Sequence, residues 1–346
     1  MLNRHTLKRL GSLGLFMAGI AMLIWILWEV GRPAIEANLA AIGWWFPGFV
    51  ALFLVAQLFF FAGWWILIDP ELLPSKPWRL FSIYLAGDSI NYLVPSANFA
   101  GEPLKAHLLR DSMGVGQALT SITIHKHAEL VGQWIFLVLG VAICFMSFNL
   151  PVSVQLIAIT VLTGMGGSLL FVTRVLKRGA YGPLIQKIAR VKWLSNRLTQ
   201  YQSQADNLDS RIQSFYQQAS RRFLAAVGWC FLGWCGGLIE TYLVLRLLAP
   251  ESGWPTAISI EALAMILNNL IFFIPGRVGS AEGVRVGVFL LFGLPAAQGV
   301  AYSLVRRGRE ILWLIPGLLV LLRQQAGMLR QSAPIIPNSR DETTNQ

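Results

Sequence analysis

Long apolar stretches separated by short polar segments dominate the pattern of this chain. A helix needs about 20 apolar residues to cross the hydrocarbon core of a bilayer, so we predict about six full membrane spans. Their predicted bounds are 10–31, 44–68, 117–148, 151–173, 223–249 and 296–322. Residues 32–38 are predicted to form a short polar connection, and 69–79, which carries three prolines, a loop. The predicted fold class is an all-α integral membrane protein.

Two further apolar segments are interrupted, so that neither half is long enough to span. The first is predicted to break at Pro95 and Gly101, and the second at Pro275, Gly276 and Gly279. Irregular backbone at membrane depth is tolerated only where protein or water covers it. We therefore predict two re-entrant helical hairpins rather than ordinary spans.

The two hairpins belong to an internal repeat with an offset of 180 residues. Asp88-Ser89, Glu102 and Lys105 match Asn268-Asn269, Glu282 and Arg285, and, after one inserted residue, His125, Lys126 and Glu129 match Arg306, Arg307 and Glu310. The repeat modules cover about 81–148 and 257–322. Three predicted spans separate the two hairpins, so the repeat is inverted in topology, an arrangement that recurs in transporters. One miscounted span would make it parallel.

Composition and charge place the chain in a membrane and orient it. Hydrophobic residues make up 55% of the sequence and charged residues 13%, which lies far outside the usual range of soluble domains. Segment 174–222 carries ten Lys or Arg against two acids, so we predict that this segment and both termini are cytoplasmic. The net charge of +11 comes without a nucleic-acid-binding motif. The bases are instead orientation signals and contacts for anionic lipids.

We predict a single polytopic membrane domain over 1–325 and a disordered tail over 326–346. Within the cytoplasmic segment, apolar residues recur at helical spacing from 198 to 219, which predicts an amphipathic helix. The apolar seam of this helix fits two arrangements. It either packs on the membrane domain of its own chain, or it forms a coiled coil with a second copy.

The repeat places acids and bases inside apolar segments. A charge there costs at least about 2.5 kcal/mol, so it must face a polar cavity or an opposite charge. Glu102 and Lys105 are three residues apart and can pair on one helix face, as can Glu282 and Arg285. The predicted substrate-binding residues are Glu102, Lys105, His125, Lys126, Glu129, Arg277, Glu282, Arg285, Arg306, Arg307, Arg309 and Glu310. Two interpretations stay open: ion pairs that only lock helices together, and a polar cavity for an anionic or zwitterionic group.

An excess of base in the second module favours the cavity. Arg277, in the predicted break, suits a phosphate or carboxylate because its planar guanidinium can bind two oxygens at once. The helix that restarts after each break presents unpaired N–H groups, which also favour an anion. Glu102 and Glu282 lie in those first turns. They either cap the helix or must be displaced or protonated when a ligand arrives. Ala97 stands at the position of Arg277 in the first module, so the two halves are not expected to bind equally.

Signs of metal binding or catalysis are weak. His125 and His127 are two residues apart and point to different sides of a helix, so they cannot bind one metal together. The three cysteines lack metal-ligand spacing, and no glycine run has the context of a nucleotide site. We predict no metal, no cofactor and no nucleic-acid partner.

Three stretches carry a resemblance to a known family: Pro95 to Glu102, Pro275 to Glu282, and Arg306-Arg307-Gly308-Arg309-Glu310. Over roughly 10–325 the chain resembles the flippase-like membrane domain of the lysylphosphatidylglycerol synthase family, and it is similar to stand-alone members, some associated with hopanoid lipids. The resemblance implies movement of a polar-headed lipid between leaflets of a bacterial inner membrane, two hairpins that meet in the membrane, and a homodimer. The chain stops at Gln346, with no room for the aminoacyl-transferase domain of the synthases, so lysyl-lipid synthesis is not expected.

Three functions from different classes follow as hypotheses. The first is a flippase or transporter that holds an anionic, zwitterionic or hopanoid-type lipid in a basic cavity between the hairpins. The second is an intramembrane lipid-modifying enzyme that uses Glu102 or His125 as acid or base. The third is a scaffold for lipid-biosynthesis enzymes, assembled through the seam of 198–219. A duplicated, inverted, basic cavity favours the first, since an enzyme site needs no symmetry. No ATP site is visible in the sequence, so we expect coupling to an ion gradient or no coupling.

Overall fold

The computed structural model of the chain describes residues 24–73, 76–94, 99–179, 202–271 and 278–332, with four isolated positions at 17, 21, 183 and 274. The helices in these ranges are α1 Arg32–Ile42, α2 Phe46–Trp65, α3 Pro77–Leu93, α4 Gly101–Met113, α5 Val115–Ser147, α6 Val152–Arg178, α7 Gln202–Gln218, α8 Ser220–Leu248, α9 Trp254–Leu270, α10 Ser280–Leu291 and α11 Ala296–Ser332. Two short 3-10 helices, Gly43–Trp45 and Pro70–Leu72, lie between them. No strand occurs in the described ranges, so the all-α class is confirmed.

Four helical segments are long and apolar enough to cross a membrane: 32–65, 115–147, 152–178 and 220–248. The first predicted span, 10–31, lies mostly outside the described residues. The last one corresponds to α11, which extends to Ser332, seven residues beyond the predicted end of the membrane domain at 325. This helix carries four charged residues between 306 and 310, and it is not among the four segments. The count of six spans therefore stays a prediction.

The predicted polar connection at 32–38 is wrong, because this segment is the helix α1. Pro33 occupies its first turn, where the missing N–H is harmless. Arg32 donates to Glu36 at 2.6 Å, one helical turn later. The preceding Gly31 has a φ of 81°, a left-handed conformation that glycine adopts without strain. The polar residues thus stabilise a helix that leads into α2 through the 3-10 turn.

The two repeats interlock through crossed helices. In the first repeat α3 packs on α4, and in the second α9 packs on α10. In addition, α3 packs on α11 of the second repeat, and α9 packs on α5 of the first. Both crossings use a glycine of the long helix: Gly317 of α11 contacts Leu85 and Ser89, and Gly140 of α5 contacts Ala262. The helices α2 and α8 run antiparallel between the two crossings, with Gly63 and Gly236 as close contacts.

The helix pairs α3–α4 and α9–α10 enter the bundle from opposite ends. Asp69, just before α3, accepts hydrogen bonds from Gln117 at 2.9 Å and from Arg222 at 3.0 Å. Gln117 follows α4 and Arg222 begins α8, so both ends of the first pair lie where α8 starts. Gln298, just after α10, donates to the Leu248 carbonyl at 2.6 Å. Both ends of the second pair therefore lie where α8 finishes.

The amphipathic helix packs on its own chain. Ile212 of α7 is fully buried, and Tyr216 is buried beside Leu176 of α6. The Tyr216 hydroxyl lies 2.6 Å from His127 Nδ1 on α5. The part of the apolar seam within the described residues thus covers the bundle, as the first of the two predicted arrangements requires. The start of the seam at 198–201 and the tail from 333 onward lie outside the described residues.

Candidate functional site

Asn91, at the end of α3, connects α3 to the start of α4 through side-chain hydrogen bonds. Its Oδ1 accepts the Gly101 N–H at 2.7 Å, and its Nδ2 donates to Glu102 at 3.0 Å. Asn91 therefore caps the start of α4, while Glu102 pairs with Lys105 at 3.1 Å. The pairing of Glu102 with Lys105 on one helix face agrees with their predicted three-residue spacing. The Gly101 Cα lies directly against the backbone of Gly87, so only glycine fits there.

A first-repeat cluster surrounds this closure and consists of Asp88, Glu102, Lys105, Lys126 and Glu129. Lys126 pairs with Glu129 at 3.0 Å, so both pairs have the predicted three-residue spacing. The Lys105 ammonium also lies over the Tyr84 ring, 5.2 Å from its centroid. Asp88 accepts a hydrogen bond from Gln57 of α2 at 2.9 Å.

The predicted histidines have separate partners. His125 Nε2 donates to the Phe60 carbonyl at 3.0 Å, while His127 contacts Tyr216 and Thr173. The two imidazoles therefore have different protein partners, on α2 for His125 and on α6 and α7 for His127. Among the described residues, no group of three or more His, Cys, Asp or Glu could hold a metal ion.

The second helix pair is joined to the first by five residues, called the inter-hairpin cluster after the predicted hairpins: Tyr92, Glu282, Arg285, Arg307 and Glu310. Arg307 pairs with Glu282 at 2.6 Å and donates to the Tyr92 hydroxyl. Tyr92 in turn donates to Glu310 at 2.8 Å. Arg285 lies 3.6 Å from Glu310. The prediction that Glu282 pairs with Arg285 on one helix face is therefore wrong, and both residues pair across helices instead. Arg307 of α11 reaches Glu282 of α10, and Arg285 of α10 reaches toward Glu310 of α11.

A helix-locking cluster lies beside it and consists of Glu240, Glu261, Arg306 and Arg309. Arg306 donates two hydrogen bonds to Glu261, at 2.8 and 2.9 Å, and Arg309 pairs with Glu240 at 2.8 Å. Glu261 also accepts a hydrogen bond from the Thr241 hydroxyl. Both glutamates were missed in the sequence analysis. Each is an acid inside a strongly apolar helix, where a charge demands a partner, and this signal would have found them.

Within the described residues of the site, acids offset the predicted excess of base. Four arginines, at 285, 306, 307 and 309, pair with four glutamates, at 240, 261, 282 and 310. Two of these acids were not counted in the prediction, because Glu240 and Glu261 come from α8 and α9, outside the motif that was compared between the repeats. Arg277, Pro275, Gly276 and Pro95 lie outside the described residues. Gly279 precedes α10 with a φ of 77°, which favours glycine.

A cavity of about 240 Å³ lies between the helix pairs. Its lining includes Tyr92 and Gln133 from the first repeat, Asn268, Arg285 and Arg307 from the second, and Trp234 of α8. Glu261, Arg306 and Arg309 of the helix-locking cluster also line it. The Arg285 side chain is 8% exposed, and its Nε and Nη1 atoms make no hydrogen bond to protein, nor does Asn268 Oδ1. Unpaired buried donors and acceptors are costly, so the cavity presents polar atoms suited to a polar ligand.

An apolar groove of about 310 Å³ runs along the other face of the second helix pair. Its lining comprises Val154, Ile157, Ala158, Leu263, Ile266, Leu267, Val284, Gly287, Val288 and Leu291. Helix α10 therefore separates two environments, with Arg285 on the cavity side and Val284 and Val288 on the groove side. Hydrocarbon suits the groove, because its lining has almost no polar surface.

The fold and the site define an all-helical membrane protein with a polar cavity between two interlocked helix pairs. The chain belongs to the family described as the lysylphosphatidylglycerol synthase TM region, whose family model matches residues 10–317. This membership confirms the resemblance and indicates a lipid-related function in a membrane. No curated protein and no solved structure shows a significant match to the chain.

Proposed function

We propose that this protein moves a polar-headed lipid between the two leaflets of a bacterial inner membrane. The headgroup occupies the cavity between the helix pairs, and the hydrocarbon tail lies in the apolar groove on the far side of α10. The observation that carries the proposal is the buried guanidinium of Arg285, which lines the cavity with two nitrogens that have no protein partner. A buried donor without a partner is costly unless a ligand or water meets it.

On this proposal the two helix pairs are re-entrant hairpins. The first enters from the cytoplasmic side, where the basic segment 174–222 lies, and the second enters from the opposite side. The contacts of Asp69 and Gln298 at opposite ends of the bundle support this arrangement. Crossing helices that meet near the midplane are a recurrent way to build a substrate site in transporters. The N- and C-termini are then cytoplasmic.

The charges of the described residues favour a zwitterionic or singly anionic headgroup. The guanidinium of Arg285 is suited to an oxygen of a phosphate or carboxylate. Glu310, which lies 3.6 Å from Arg285, is placed to attract an ammonium group. Because bases and acids balance in this part of the site, a highly charged anion would find no net compensation. The cavity also has room for a small headgroup rather than for a long oligosaccharide.

Movement follows from partner exchange in the inter-hairpin cluster. A phosphate bound to Arg285 competes with Glu310 for that arginine, so Glu310 shifts toward its other partners, Tyr92 and Arg307. Arg307 and Tyr92 are the links that join the hairpins, so their rearrangement is what would open the cavity toward one leaflet. A ligand shifts such an equilibrium only by its difference in affinity for the two states. No covalent step is needed, and the chain carries out no chemistry.

The test is leaflet-resolved movement of labelled lipids in proteoliposomes, with several headgroups compared. Arg285→Gln should slow headgroup-dependent movement by about tenfold or more, since it removes a charged hydrogen-bond donor from the cavity. The matched control is Arg110→Gln, at an exposed arginine in the last turn of α4, which should leave the rate unchanged. Equal rates for the wild type and Arg285→Gln with every headgroup, in protein of normal thermal stability, would refute the proposal.

A further inference from the structure

Asp88 of α3 is an acid without a cationic partner. It accepts a hydrogen bond from Gln57 on α2 at 2.9 Å, and Gln57 in turn accepts one from Tyr84 at 3.2 Å. Within the described part of the chain, Asp88 takes part in no ion pair. The residue as a whole is of intermediate exposure, which leaves a route for water to reach it.

The neighbouring bases are already engaged. The charged groups that act on Asp88 include Lys105 on α4 and Lys126 and Glu129 on α5. Lys105 is paired with Glu102 at 3.1 Å, and Lys126 is paired with Glu129 at 3.0 Å. The first-repeat cluster therefore contains three carboxyls and two ammonium groups. With every group ionised it would carry one uncompensated negative charge among apolar helices, which is strongly unfavourable.

Comparison of the repeats singles out the same residue. Both repeats share a neutral skeleton of two acids and two bases: Glu102, Lys105, Lys126 and Glu129 in the first, and Glu282, Arg285, Arg307 and Glu310 in the second. The second repeat adds Arg277, Arg306 and Arg309, and within the described residues Arg306 pairs with Glu261 and Arg309 pairs with Glu240 of α8. The first adds Asp88, and no base balances it within the described residues. The second repeat has Asn268, an uncharged residue of the same shape, at the matching position.

We propose that Asp88 is a proton-binding site, which takes a proton from water and returns it to water as the first hairpin changes state. A proton fits better than a metal cation, because one carboxyl and one amide supply too few oxygen ligands, and no metal-binding group is found among the described residues. Resting on the proposed function, this inference makes the protein a proton-coupled lipid transporter.

The coupling has a direct route through Lys105. The stem of Lys105 packs against Gly87, the residue before Asp88. When Asp88 loses its proton, its negative charge competes with Glu102 for the Lys105 ammonium. Glu102 is also held by Asn91, which caps α4. Release of the proton at Asp88 therefore loosens the closure between α3 and α4.

The first experiment is infrared difference spectroscopy of the full-length protein in lipid, titrated with base from neutral pH. The carbonyl band of a protonated carboxyl should be present in the wild type, absent in Asp88→Asn and kept in the control Asp69→Asn. The substitution Asp88→Asn copies the side chain of Asn268, so it should fold. A band that persists in Asp88→Asn would overturn the proposal. So would a wild type without such a band, as expected if Asp88 were ionised beside a cation outside the described residues.

The second experiment is lipid movement in proteoliposomes with and without an imposed pH gradient. The gradient should accelerate movement severalfold in the wild type, and this ratio should fall to one in Asp88→Asn. If a sodium gradient without a pH gradient accelerated lipid movement as much, the assignment to protons would be overturned. No lipid movement in any protein would refute the proposed function, while the infrared result would still decide whether Asp88 binds a proton.

Discussion

Glu261 gives the sharpest test of the helix-locking cluster. Its carboxylate accepts two hydrogen bonds from Arg306, at 2.8 and 2.9 Å, one from Thr241 at 2.7 Å and one from Tyr302 at 3.0 Å. Glu261→Gln keeps the shape but removes the charge and turns a donor toward Arg306. Breaking a buried ion pair by neutralising one partner costs about 3–5 kcal/mol. We expect the lower part of this range, because Glu240 lies 3.5 Å from Arg306 and still compensates part of its charge.

The assay is the free energy of unfolding in mixed micelles, measured for the single variants and the double variant. Glu261→Gln should lower it by about 3 kcal/mol, and Glu261→Gln/Arg306→Gln should recover at least about 1 kcal/mol of that loss, because coupled residues are not additive. The control is Asp69→Asn, which breaks an ion pair with Arg222. Those side chains are 50% and 31% exposed, so the loss should be at most about 1 kcal/mol.

Two results would refute this reasoning. Similar small losses for Glu261→Gln and Asp69→Asn would mean that the buried cluster adds no more than a surface ion pair. A double variant with a loss equal to the sum of both single variants would mean that Glu261 and Arg306 do not interact energetically. In either case the helix-locking cluster, three residues of which also line the cavity, would not act as a lock, and its arginines would be available for a ligand.

Two further predictions concern packing, and each has a built-in comparison. Gly101→Ala should lower the free energy of unfolding by about 3 kcal/mol, because its Cβ would overlap the backbone of Gly87. Gly164→Ala, with open space around it, should raise the free energy of unfolding by up to about 1 kcal/mol. Equal effects of the two substitutions in the same denaturation assay would contradict the close approach of Gly101 to Gly87. Ile212→Ala should cost about 2–4 kcal/mol and speed limited proteolysis of α7, while Ser214→Ala on the same helix should not; unchanged proteolysis would mean that α7 does not depend on this contact.

Much of the fold was predictable because it rests on local signals. The sequence predicted a break in the first interrupted segment at Pro95 and Gly101, and the structure ends α3 at Leu93 and begins α4 at Gly101. Proline and glycine fix such breaks through backbone sterics alone. The error at 32–38 has a local cause too. A polar segment was interpreted as a connection, although Arg32 and Glu36 have the spacing of a helical ion pair.

The pairing inside the site was less predictable, because it depends on which helices cross. Local pairing held for Glu102 with Lys105, where both lie on α4. It failed for Glu282, which reaches Arg307 on another helix. Tyr92 carries no charge and gave no signal, yet its hydroxyl joins α3 to Arg307 and Glu310 of α11. A linear motif records which residues are present, while their partners follow from a three-dimensional crossing that no spacing specifies.

The link through Tyr92 also implies that the two halves of the repeat are not interchangeable. The matching position in the second repeat is Phe272, which has no hydroxyl. The first hairpin can therefore hydrogen-bond to Arg307 and Glu310 of the second repeat, whereas the reverse bond from Phe272 to Lys126 cannot form. In an inverted repeat, exchanging the conformations of the halves converts the state open to one leaflet into the state open to the other. Because only the first repeat has this hydroxyl, the free energies of the two states differ by at least the contribution of the hydrogen bonds that Tyr92 makes. Under the proposed function, the protein therefore has a preferred resting state, and a bound headgroup or the proposed proton at Asp88 offsets that preference before the lipid crosses.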